Sequence, residues 1–202
     1  MRRGLLAGAA LIVAAIGCQK KEQGAAPSGV STPHPDVVLE TTKGRIVLEL
    51  DRNAAPKTVD NIVAHVEGHF YDGLTFHRVI EHFVIQAGIQ TADGRQQLSS
   101  APPVPNEADN GLKNVRGSVA LARTADPQSG GVQFFINLGD NPRLNFRDKT
   151  VNGWGYCVFG RVKEGMDVAD GIGKVRTRPD DTPVEPVVIT RAYVDTTAAT
   201  AR

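Results

Sequence analysis

Residues 75–88 read TFHRVIEHFVIQAG, and this stretch limits the fold more than any other. Apolar and polar residues alternate at period two and then turn almost wholly apolar, as in strands with a buried face. Phe76, Arg78 and Ile80 share one face of a strand, but Phe83 and Ile85 fall out of step with them. A bend or turn near Glu81-His82 is therefore expected, and the stretch predicts a strand or a strand pair with one buried face. Arg78 and Gln86 stand inside this apolar run. A guanidinium and an amide beside aromatic side chains give an apolar floor with a few fixed donors, which suits a peptide ligand.

The neighbouring segments extend the same picture. Residues 37–50, VVLETTKGRIVLEL, are two alternating runs around Thr42-Lys43-Gly44, which predicts a β-hairpin. Pro56 opens a helix whose stripe is Val59, Ile62, Val63 and Val66, and Gly68 ends it. His65 and His69 are four apart, but Gly68 breaks the helix between them and no third ligand is evident, so a surface reading is preferred to a metal site. Residues 88–111 lack periodicity and contain Pro102-Pro103-Val104-Pro105, which predicts a long surface loop. Strands follow at 117–123, 133–138, 158–162 and 187–194, with a short helix at 164–172. Phe134 and Phe135 are neighbours on one strand and point to opposite faces. Many strands, two helices and long connections predict a mainly β chain, a closed antiparallel β-barrel capped by two helices.

The start of the chain is of another kind. Arg2 and Arg3 precede an apolar run at 5–16, which is short of the roughly 20 residues that span a bilayer. Residues 1–18 are therefore expected to be a secretory signal. Ala15, Ile16 and Gly17 before Cys18 resemble a bacterial lipoprotein cleavage site, which implies lipidation of Cys18. An ordinary signal with an incidental cysteine is the alternative. Residues 19–35 are polar and rich in Gly, Pro and Ser, and predict a flexible tether. Residues 36–196 form the expected domain and 197–202 a disordered tail. The expected place is the cell envelope, lipid-anchored, at a periplasmic face or an outer membrane, which Gln19 after Cys18 favours. Cys157 lies in an apolar run and reads as a small buried hydrophobe.

Three blocks carry a resemblance. F-H-R-V-I-x-x-F-V-I-Q-x-G at Phe76 to Gly88, GSVALARTADPQSGGVQFFINLGDN at Gly117 to Asn141, and GWGYCVFGRVKEGMDV at Gly153 to Val168 resemble the cyclophilin-type peptidyl-prolyl isomerases, the third block their bacterial branch. The resemblance covers about Asp36 to Val194 and implies a cyclophilin-like barrel that isomerises X-Pro bonds. It implies Arg78 as the catalytic arginine and Gln86 as the glutamine that orients it and holds the substrate backbone. It implies Phe83, Val84, Phe135 and Leu144 as walls of a proline pocket. Ala122 and Arg123 match the strand edge along which a peptide lies, Arg123 through its backbone, and Gln133 a further groove residue. His77 belongs to the signature and is read as structural. The alternative for Arg78 is a carboxylate partner and a strand brace.

The chain departs from the family pattern at Val84, often methionine, and at Tyr156, which bacterial members share. Arg143 stands where tryptophan or phenylalanine is usual. That aromatic contacts cyclosporin, so weak cyclosporin binding is expected, unless a loop shift brings Phe146 into its place. The chemistry needs no metal and no cofactor. Net charge is +1, so nothing draws the chain to nucleic acid. The expected partners are proline-containing peptides and unfolded exported proteins, and the membrane through lipid on Cys18; the expected state is a monomer. A peptide-binding chaperone or scaffold with weak turnover is the alternative function. No Ser-His-Asp arrangement supports a hydrolase.

Overall fold

The computed structural model describes residues 32–196 and Met1. The signal, Cys18, most of the tether and the 197–202 tail lie outside the described residues. Strand β1 (Asp36–Thr41) turns through Thr42-Lys43 into β2 (Gly44–Leu50). Helix α1 (Pro56–Glu67) follows. Then come β3 (Leu74–Ile80), β4 (Val84–Thr91), β5 (Ser118–Leu121), β6 (Phe134–Asn137), β7 (Val158–Glu164), α2 (Met166–Gly173) and β8 (Ile189–Asp195). All pairings are antiparallel, in the order β3-β4-β6-β5-β7-β2-β1-β8. The sheet comes back on itself where Gly73 and Phe76 donate to the carbonyls of Ile189 and Val187 at 2.8 and 2.9 Å. The result is a nearly closed barrel, which leaves few strand edges free.

The barrel interior is one apolar cluster. It includes Val37, Leu39, Ile46, Leu48, Phe76, Ile85, Phe134, Ile136 and Phe159 from the strands, with Val59, Ile62 and Val66 from α1. Val63, expected in the α1 stripe, lies at its edge and is only partly buried. α1 packs against β8, and α2 against β2, β3 and β4. Gly68 follows α1 as expected, but with φ −78°; the left-handed turn is made by His69, at φ +56°.

Residues 88–111 are not loop throughout. β4 runs on to Thr91, and Thr91 and Gln97 bond back to Arg95 and Ile89 before the chain leaves the sheet. The polar residues Gln90, Thr91, Asp93 and Arg95 hide that strand end from a hydrophobic pattern. The rest of the loop has a structural task. Ala55, the N-cap of α1, offers no side-chain cap. Glu107 supplies it from 49 residues away, accepting from Lys57 N at 3.1 Å, Thr58 N at 2.9 Å and Thr58 Oγ1 at 2.8 Å. A carboxylate there also meets the positive end of the helix dipole. Thr58 is fully buried, so Glu107→Ala strands buried donors and is expected to cost about 1–3 kcal/mol. An unchanged melting temperature in that variant contradicts this role.

Cys157 is buried, with its Sγ 3.7 Å from Thr58 Oγ1. Burial pushes its thiol up to about 12. At pH 8 it carries almost no thiolate, the reactive form. Iodoacetamide is expected to leave the folded protein's Cys157 unmodified and to label it in denaturant; labelling at equal rates contradicts the placement.

Candidate functional site

The register of the sheet builds the site. Arg78 on β3 pairs with Gln86 on β4, Gln86 with Phe135 on β6, Phe135 with Ala120 on β5, and Ala120 with Val158 on β7. Directly opposed residues of antiparallel strands share a face. These five side chains therefore form one row across five strands. Phe134, one residue out of step, points into the barrel core. The row lies on the outer face.

That outer face is not polar. Val84, Ala120, Ala122, Phe135 and Val158 form a second buried cluster, with Phe83, Leu112, Leu144 and Tyr156 partly buried against it. Phe135 and Tyr156 meet edge to face at 5.6 Å between ring centres. Polar groups rim the cluster. Gln86 Nε2 donates to Gln133 Oε1 at 3.0 Å. A cleft of about 330 Å³ adjoins this pair, lined among others by Ala122, Arg123, Ser129, Leu98 and Pro102. Arg123 Nε donates to the Gly155 carbonyl at 2.8 Å, and its guanidinium lies 4.7 Å above the Tyr156 ring. The side chain of Arg123 thus braces the Tyr156 segment.

Arg78 ends the row. Its Nε donates to Asp181 Oδ2 at 3.3 Å, in an ion pair about 40% exposed on either side. Arg78 thus has a carboxylate partner, but it occupies one of the five N–H donors a guanidinium carries. His77 is packed beside it. Burial chiefly lowers its pKa, which keeps the ring neutral near pH 7. His82 is exposed in the β3–β4 turn at φ +60°.

The structure thus gathers Phe83, Val84, Ala122, Phe135, Leu144 and Tyr156 into one cluster, with Gln86 and Gln133 bonded at its rim and Arg78 at the end of the row. Arg143 is exposed on the short 3-10 helix Pro142–Leu144. Phe146 does not join the cluster. It packs on Trp154, 5.5 Å between ring centres, and on the barrel core. A loop shift that brings Phe146 to the place of the missing aromatic at Arg143 would have to undo that packing.

A group of asparagines that the sequence reading passed over holds the walls in place. Buried Asn137 donates to Asn114 Oδ1 at 3.2 Å and Ser118 Oγ at 2.9 Å, and accepts from Asn141 Nδ2 at 2.7 Å. Asn141 Nδ2 also reaches the Phe83 carbonyl at 3.1 Å, and Asn114 Nδ2 the carbonyls of Leu144 and Tyr156 at 3.1 and 3.3 Å. Phe83, Leu144 and Tyr156 are fixed by their backbones to one polar hub. The available signal was Asn137 itself, a polar residue in step with Phe135 on an otherwise apolar strand.

Among the described residues no three His, Cys, Asp or Glu side chains are grouped to hold a metal, and no helix is long and apolar enough to cross a membrane.

Residues 36–194 match the model of the cyclophilin type peptidyl-prolyl cis-trans isomerase/CLD family. The chain is 55% identical over 162 residues to peptidyl-prolyl cis-trans isomerase cyp18 of Streptomyces antibioticus, covering 78% of this chain and 97% of that one. It is 45% identical over 157 residues to peptidyl-prolyl cis-trans isomerase B of Escherichia coli K12, covering 76% and 95%. The fold is similar to a crystal structure of a Cryptosporidium parvum cyclophilin type peptidyl-prolyl cis-trans isomerase, with TM-score 0.68 and 24% identity over 81% of this chain and 98% of that one. A second crystal structure of that protein was obtained in the presence of the dipeptide Ala-Pro, with TM-score 0.66 and 24% identity over 80% and 99%.

Proposed function

This chain belongs to the cyclophilin-type peptidyl-prolyl cis-trans isomerase family, and from that premise we propose that it turns X-Pro bonds of exported proteins by stabilising the twisted amide with Arg78. Its activity is peptidyl-prolyl cis-trans isomerisation, and its substrates are proline-containing peptides. The observation that carries the finer reading is the row from Arg78 through Gln86 to Phe135. It sets a guanidinium beside an amide and an apolar pocket on one face.

In this reading the proline ring enters the cluster walled by Phe83, Val84, Phe135 and Leu144. The peptide backbone lies along Ala122-Arg123, with Gln86 as a fixed partner; Tyr156 and Gln133 form the rim. Rotation of the X-Pro bond removes amide resonance, and the nitrogen regains a lone pair. A guanidinium N–H aimed at that nitrogen binds the twisted form better than either planar form, which is the requirement for catalysis. No bond is made or broken, so neither a nucleophile nor a metal is needed. The test is an isomerisation assay on a short X-Pro peptide with the chain from Thr32 onward and its Arg78→Ala variant. Loss of acceleration in the variant supports the arginine mechanism. Peptide binding without acceleration by the intact domain replaces it with the scaffold reading.

Export and anchoring rest on residues 1–18. Acyl chains on Cys18, at about 0.8 kcal/mol per buried methylene, would hold the domain at a membrane. Mass spectrometry of the mature amino terminus decides this: acylated Cys18 supports it, and an unmodified cysteine or an uncleaved leader removes it.

Cyclosporin is expected to bind weakly, because exposed Arg143 stands where the family resemblance implies an aromatic contact and Phe146 is held by Trp154. A submicromolar dissociation constant refutes this. Arg143→Trp is expected to tighten it.

A further inference from the structure

We propose that Asp181 is a positioning residue for Arg78: from the loop before β8 it holds the guanidinium by its Nε and leaves the two terminal nitrogens for the substrate. This rests on the reading of Arg78 as the catalytic group.

The loop is built to present this one residue. Thr177 bridges Pro183, Arg178 N donates to the Thr182 carbonyl at 2.8 Å, and Asp181 N donates to the Arg178 carbonyl at 3.1 Å. Asp181 is at φ +65°, a left-handed conformation that few non-glycine residues adopt. It grips β3 at two consecutive residues. Its carbonyl accepts from Val79 N at 2.9 Å, and its Oδ2 accepts from Arg78 Nε at 3.3 Å. The main-chain bond fixes where the carboxylate stands, so the carboxylate can fix where the guanidinium points. The same segment continues into Val187 and Ile189, whose carbonyls accept from Phe76 on β3 and from Gly73 just before it and so close the barrel. Among the described residues no hydrogen bond occupies either Nη of Arg78.

The ion pair is exposed enough that its effect on folding is small. What it changes is the freedom of a long side chain. An unheld arginine must be ordered each time the amide twists, and a held one is already in place. The cost of losing the grip therefore falls on turnover and not on the fold.

Asp181→Gly is the decisive variant. Glycine accepts a positive φ without strain, and the variant retains the main-chain bond to Val79 while deleting the carboxylate. The expected result is a fall in kcat/KM of about tenfold, carried by kcat, with KM and Tm held. Asp181→Asn tolerates the same backbone and keeps an acceptor oxygen, so it is expected to recover part of the loss. In an Arg78→Ala background, Asp181→Gly is expected to change activity less than about twofold. Three results overturn the proposal: activity of Asp181→Gly within twofold of the parent or above it, a loss explained by a lowered Tm, or an equal loss in the Arg78→Ala background. If Arg78→Ala alone keeps full activity, the catalytic reading of Arg78 fails and takes this one with it. If Arg78→Ala is inactive and Asp181→Gly is not impaired, only the positioning role fails.

Discussion

Arg78→Ala is expected to lower kcat/KM for a short X-Pro peptide by one to three orders of magnitude while the barrel stays folded. The amide barrier is about 18–20 kcal/mol and arises from conjugation. The protein has only to favour the state in which that conjugation is lost. One well-aimed donor in an active site is worth about 2.7–4 kcal/mol, or roughly 10²–10³ in rate. Arg78 is 43% exposed, so water competes with it and extends the expected range down to about tenfold. The nitrogen accepts a hydrogen bond only when twisted, so the loss falls on kcat and leaves KM near the parent value. Lysine at the same position keeps the charge but loses the rigid fork, and with it the separation between the nitrogen held by Asp181 and those facing substrate. Arg78→Lys should therefore resemble Arg78→Ala more than the parent. The partition is read from full saturation kinetics, with circular dichroism as the check on folding. Activity of Arg78→Ala within twofold of the parent, in a folded protein, sinks the mechanism.

What a sequence can reveal here depends on how local the cause is. The β1–β2 hairpin, α1 and the β3–β4 pair follow from alternation, a proline at a helix start and a turn between strands, except that a bulge between Phe76 and Arg78 turns Phe76 into the core and Arg78 to the outer face, which alternation puts together. Each is set by residues within a dozen positions. The split of Phe134 from Phe135 follows from strand geometry alone. The pocket walls do not. Val84, Ala122 and Phe135 are as apolar and as buried as barrel core, because loops carrying Leu112, Leu144 and Tyr156 cover the outer face. Both faces of those strands then read alike, and only a resemblance separates wall from core. The distant contacts leave no local trace at all. Glu107 caps a helix 49 residues back, and Asp181 meets Arg78 across 103. The resemblance implies that Arg123 acts through its backbone, and the structure adds a side-chain brace on Gly155 and Tyr156 that no periodicity encodes.

Gly88→Ala is expected to cost about 3 kcal/mol or more and to take the groove with it. Two effects add at this position. Gly88 is at φ +108°, and holding alanine there costs about 1–3 kcal/mol. Its new Cβ would also stand 2.6 Å from the Val132 carbonyl oxygen and 3.0 Å from Gln133 Cα. Both are backbone atoms, so no side-chain rotation relieves the contact, and overpacking of this kind costs about 1–3 kcal/mol. Retreat is blocked from behind. Fully buried Tyr71 donates its hydroxyl to the same Val132 carbonyl at 2.8 Å and itself lies 3.3 Å from the added carbon. The alternative is for the segment 132–133 to move away from β4, which separates Gln133 from Gln86 and shifts Phe135 against Tyr156. For a domain of this length about 3 kcal/mol corresponds to a melting temperature lowered by roughly 6–12 °C. Gly73→Ala isolates the backbone term: its φ is +81°, and an added Cβ meets nothing within 4 Å. It should lose about 1–3 kcal/mol by strain alone and keep its peptide affinity. If Gly88→Ala is no less stable than Gly73→Ala, the steric half of the argument is wrong. If Gly88→Ala is destabilised but binds X-Pro peptide as the parent does, the close approach of β4 to residues 132–133 shapes the barrel and not the groove.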